Sequence, residues 1–142
     1  MTVPRFHLAS AVSGVCWGLI AYALGRGALG NLVWGGVVAS PLIGVLVGLS
    51  LRRLAPGTTR GRLAVSLVDL YAAVAVFGAA VGVFDLVTGV NAGVGWRRDP
   101  SAVILQAVLA SLWGITLTGW VLLLWPLSYF NHLLLWRRRP SP

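Results

Sequence analysis

Between Asn31 and Leu51 the chain carries no charged residue. A helix that crosses the hydrocarbon core of a bilayer needs about 20 apolar residues, and this run supplies them. Comparable runs cover about residues 7–24 and 63–90, and a fourth begins near Ser101. Lipid offers no hydrogen-bond partner to a bare peptide group, so each run can only be helical. The expected fold is all-α: an integral membrane bundle of four transmembrane helices, forming a single domain over residues 1–142.

Composition agrees. Hydrophobic residues make up 58% of the chain and charged residues 10%, against about 25% charged in a soluble domain. The polar surface is too small to coat a water-facing globule. All basic residues are arginines, and neither Lys nor Glu occurs. The net charge of +8 does not indicate nucleic-acid binding, because no soluble domain exists to carry a basic patch. Glycine, alanine and arginine without lysine point to a GC-rich bacterial genome, and so to a bacterial inner membrane.

The arginines set the topology. Arg5, Arg52, Arg53, Arg60, Arg62, Arg137, Arg138 and Arg139 fall on one side of a four-span path, and Arg26, Arg97 and Arg98 on the other. The positive-inside rule then places both termini in the cytoplasm. The first run could also be read as a signal peptide with a weak cleavage site at Ala23 to Gly25, but it is taken as a retained span. Gly25 to Asn31, Ala55 to Thr59 and Asn91 to Gly95 are the turns, and Asp99-Pro100 opens the fourth helix with an N-cap and a first-turn proline.

The fourth apolar run, Ala102 to Trp136, is about 52 Å long as a helix and overshoots a core of about 30 Å. Pro126 interrupts it. A span over about 101–125 is expected, then a kink and an interfacial extension over about 126–136. Leu127, Phe130, Leu133 and Leu134 would face lipid, Ser128, Asn131 and His132 would face elsewhere, and Trp136 would anchor at the interface beside arginines.

Glycines four apart recur in three spans: Gly14 and Gly18, Gly44 and Gly48, Gly78 and Gly82. Such a strip lets two helix backbones approach closely. Asp69 and Asp85 both lie in the third span, about 24 Å apart along the axis and on different faces. They are read as intramembrane ion pairs or interhelical hydrogen bonds that fix the third helix, with Arg60 or Arg62 in reach of Asp69 and Arg26, Arg97 or Arg98 in reach of Asp85; a proton relay is the sharper alternative. His7 and His132 fall at one depth and could ligate haem or chlorophyll, a role ranked below simple interfacial bonding. Trp113 and Trp120 share a face of the fourth helix and could meet a quinone, carotenoid, chlorophyll, lipid or partner helix.

Cys16 stands alone, so no Cys pair for redox or zinc chemistry exists, and it is read as a small core residue. No nucleotide loop, metalloprotease motif or serine elbow occurs. The expected function is non-catalytic: an accessory or structural subunit of a larger membrane complex, of photosynthetic or respiratory type. Its partners would be other membrane subunits and lipid, with no metal, no resident cofactor and no soluble substrate. The alternatives are a small proton- or ion-coupled transporter using Asp69 or Asp85, and a haem- or chlorophyll-ligating subunit through His7 or His132.

Overall fold

The computed structural model describes residues 2–54, 58–89 and 118–138, together with Ser101, Ile104, Leu105, Val108, Leu109 and Leu112, each of helical backbone. The described chain is all-helical, with no strand. Helix α1 is Val3–Leu29, α2 is Val33–Arg53, α3 is Thr59–Thr88 and α4 is Thr118–Arg138. The first three are long and apolar enough to cross a membrane. α1 starts and ends outside the expected 7–24 because Pro4 suits a helical first turn and Gly25 and Gly27 do not break it. The Asp99-Pro100 cap and most of the stretch from residue 101 to 117 lie outside the described residues.

Local chemistry explains the ends. The Thr58 hydroxyl accepts from the Gly61 N–H at 3.1 Å and caps α3. α3 stops at Gly89, whose left-handed backbone (φ 65°) returns its N–H to the Asp85 carbonyl. Gly30 ends α1 at φ 54° and hands the chain to a single 3-10 turn, Gly30–Leu32.

Pro41 sits inside α2, where it has no N–H to give the Val37 carbonyl. In lipid that carbonyl would be stranded. The Ser40 hydroxyl donates to it at 2.7 Å and restores the missing bond. Ser10 and Ser66 likewise bond back to Phe6 and Leu63 on their own helices.

Glycine sets the packing of α1 on α2. A Cβ on Gly14 would strike the Ser40 carbonyl and lie 2.9 Å from the Gly44 Cα. A Cβ on Gly44 would strike the Ser10 carbonyl, and one on Gly18 or Gly48 would meet Ser40 or Ser10. Two of the expected strips therefore face each other across one crossing. Gly78 and Gly82 are buried on α3. A glycine pair outside those strips receives α3: Gly36 meets the Phe77 ring, and Gly35 meets Phe84 and the Ala80 carbonyl.

Phe6, Leu51, Leu135 and Trp136 form one buried cluster, with Ala9, Val47, Val65 and Leu133 packed on it. It joins the start of α1, the end of α2, the start of α3 and the end of α4. Successive long helices therefore alternate in direction, and both tails lie at one end. α4 continues through Pro126 without a break. Beyond the proline, Leu127, Phe130 and Leu134 are exposed while Ser128, His132, Leu135 and Trp136 are buried. The segment expected along the interface is thus docked on the other helices, and Trp136 is a core residue, not an exposed anchor.

The outer surface is apolar, unlike that of a soluble protein, and several serines lie inside. Val38 and Val87 are 74% and 76% exposed, while Ser10, Ser40, Ser66 and Ser128 are buried. Cys16 is exposed on α1, contrary to its expected core role, since the face two residues on from Gly14 points outward. Replacing Gly44 with Val should destabilise the bundle by about 1–3 kcal/mol through forced separation of α1 and α2. Gly27→Ala, where a Cβ meets nothing within 4 Å, should lose no stability. Equilibrium unfolding in mixed detergent–SDS micelles measures both.

Candidate functional site

Ser50 of α2 and His132 of α4 converge on Asp69. It is 7% exposed on α3, about 15 Å along the axis from Thr59. The Ser50 hydroxyl of α2 donates to its Oδ1 at 3.0 Å. The His132 Nε2 of α4 lies 3.1 Å from its Oδ2. His132 is 2% exposed, and its Nδ1 is 2.7 Å from the Ser128 carbonyl. A carbonyl only accepts, so Nδ1 donates and the tautomer is fixed.

This corrects the expected pairing of Asp69 with Arg60 or Arg62. Those residues lie nine and seven positions before Asp69 on the same helix, about 14 and 10 Å along the axis. The Arg62 guanidinium instead lies over the Trp136 ring, 5.2 Å from its centroid. α4 runs antiparallel to α3 and brings His132 to the depth of Asp69. The Trp136 ring stands edge-on to His132 at 6.4 Å.

Neighbouring polar contacts extend the site. The Trp125 indole N–H donates to the Ser66 hydroxyl at 3.0 Å, and the Ser128 hydroxyl reaches the Ser66 carbonyl at 3.4 Å. The Ser13 hydroxyl of α1 donates to the Asn131 Oδ1 at 2.9 Å. Hydrogen bonds therefore tie α4 directly to α1 and α3, and Asp69 links it onward to α2 through Ser50. The sequence carries a signal for this site in its spacing: Ser66 and Asp69 share a face of α3, and Ser128 and His132 share a face of α4.

The other candidates fall elsewhere. Asp85 is half-buried near the far end of α3, and its carbonyl accepts from Gly89. Of its expected partners, Arg97 and Arg98 lie outside the described residues, while Arg26 extends over the Tyr22 ring, 5.7 Å from the centroid. Tyr22 also meets Trp34, with ring centroids 4.9 Å apart. Asp69 and Asp85 are not brought together. Trp113 and the side chain of Trp120 lie outside the described residues. His7 packs edge-on against Phe6 at 5.9 Å, and its buried Nδ1 has no hydrogen-bond partner among the described residues. His132 has both ring nitrogens engaged and presents no free lone pair to a haem or chlorophyll metal. Among the described residues no three His, Cys, Asp or Glu side chains are grouped to hold a metal ion.

A buried carboxylate stripped of its partner is costly. His132→Leu should destabilise the bundle by roughly 3–5 kcal/mol. The double variant Asp69→Leu, His132→Leu should lose much less than the sum of the two single losses. SDS titration of all four proteins gives the coupling, and strict additivity would show that the contact contributes nothing.

Comparison with protein families, curated proteins and solved structures finds no match to this chain.

Proposed function

We propose that this protein is a non-catalytic membrane subunit that acts by contact, packing its outward apolar faces against lipid and the helices of partner subunits. One observation carries the reading. The ionisable pair buried inside the bundle, Asp69 and His132, is used to join helices, and the outward faces carry Leu8, Val12, Leu19, Val38, Leu42, Val68, Leu123 and Phe130. Such faces suit lipid or other apolar helices and offer no grip on a soluble substrate. A photosynthetic or respiratory complex in a bacterial inner membrane is the proposed host, with Trp113 and Trp120 as its pigment-, lipid- or partner-facing pair. Both tails are proposed to be cytoplasmic, since Arg5, Arg52, Arg53, Arg60, Arg62 and Arg137 gather at the end they share.

The proton-coupled carrier is the second reading, favoured by the Asp69–His132 contact. Asp69→Asn distinguishes the two: a carrier loses proton-coupled flux while remaining folded, whereas a contact subunit keeps its assembly.

Extraction from native membranes in mild detergent should yield the chain together with other membrane polypeptides at a fixed ratio. Recovery of the chain alone overturns the subunit reading. Reporter fusions at the two tails should both read cytoplasmic, and a split result would refute the topology.

A further inference from the structure

We infer that Asp69 and His132 form a binding site for one proton, and that its occupancy holds α4 against α2 and α3. Nδ1 of His132 is committed as a donor to the Ser128 carbonyl. A hydrogen bond between Nε2 and Oδ2 at 3.1 Å then needs one further proton. It sits either on the carboxyl group, donating to a neutral imidazole, or on the imidazolium, donating to a carboxylate. Both forms have zero net charge.

Removing that proton leaves a lone pair facing a carboxylate, with a net charge of −1 among buried residues. The contact becomes repulsive and the charge is stranded in a medium of low dielectric. Adding a second proton leaves +1. The neutral, singly occupied state is therefore the one in which the helices close. Ser50 reads the same carboxyl group from α2, so loss of the proton loosens three helices at one point. Hydrogen bonds from Trp125 and from Ser128, the latter at 3.4 Å, also tie α4 to Ser66 of α3. The site rests on this geometry, whichever of the two functional readings holds.

The surroundings present few other titrating groups. α2 offers Ser50 at the carboxyl group. α4 offers the Trp136 ring at the imidazole, and α3 offers Arg62 over that ring. α1 brings His7 and Arg5, α2 Arg52 and Arg53, α3 Arg60 and α4 Arg137 to the same end of the bundle. His7 is the chain's other imidazole, so it is replaced in the test.

The experiment uses the full chain in lipid nanodiscs with ¹⁵N-labelled histidine. The chain has 2 histidines, and His7→Gln leaves His132 as the sole imidazole. The expected spectrum shows Nδ1 protonated while the helices are closed. As pH rises, loss of the shared proton, from whichever group holds it, should change the Nε2 resonance in one step that coincides with release of α4. Release is read in a Cys16→Ala background, as maleimide labelling of Ser128→Cys relative to the exposed Phe130→Cys at each pH. That ratio should rise about tenfold across the step, equivalent to about 1.4 kcal/mol. Asp69→Asn keeps a neutral partner for Nε2 and should flatten the profile. A spectrum with Nδ1 bare and Nε2 protonated in the closed state overturns the site. So does an Asp69→Asn profile identical to that of the parent protein. The spectrum of the parent needs no change at Asp69, so it decides the matter even if that variant fails to insert.

Discussion

Hydrocarbon gives a peptide group nothing to bond to, and the arrangement of this chain is a response to that fact. Every helix must close its own hydrogen bonds, so a proline inside a span needs a substitute donor; Ser40 supplies it for Val37. Polar side chains must find one another, so they turn inward, and the outside is left to leucine and valine. In water these preferences would be reversed. Here the inside holds serines, glycines and the Asp69–His132 pair beside an apolar cluster around Phe6 and Trp136.

Association of the helices then cannot come from hiding apolar surface, because lipid tails are as apolar as leucine. Two other terms take its place. The first is close backbone approach, available where Gly14 meets Gly44 and where Gly35 and Gly36 admit the side chains of Phe84 and Phe77. The second is the set of directed polar contacts to α4 from Ser13, Ser66 and Asp69. The two are divided by location: glycines join α2 to α1 and admit α3, whereas hydrogen bonds fasten α4. A glycine joint is indifferent to protons, whereas an Asp–His contact is not, and this difference makes α4 the responsive element.

The all-helical character of the chain and its first three long apolar helices were legible in the sequence, because length and apolarity are local properties. The facing of Gly14/Gly18 with Gly44/Gly48 was also legible as a tendency, since spacing by four marks a strip. The partner of Asp69 was not. Its nearest cations in sequence are arginines on the same helix, and local reasoning favours them. The actual partner lies 63 residues away, at a depth set by how α4 packs. His132 resembles an interfacial ligand in the sequence because Pro126 suggests that the chain turns away there. Proline removes one hydrogen bond but does not by itself end a helix when neighbours bury the residues beyond it. Gly35 and Gly36 give no sequence signal of their own, because adjacent glycines make no four-residue strip, although Phe77 and Phe84, seven apart, mark the matching face.

Both ends of the described helices lie at the same end of the bundle, where Phe6 clusters with Leu51, Leu135 and Trp136. Two copies could therefore be joined head to tail by a short linker with no extra crossing, and the second would enter the membrane in the same sense as the first. A gene duplication would produce parallel repeats related by an axis along the membrane normal. The inverted repeats on which many carriers depend are closed to this architecture unless it gains or loses a helix.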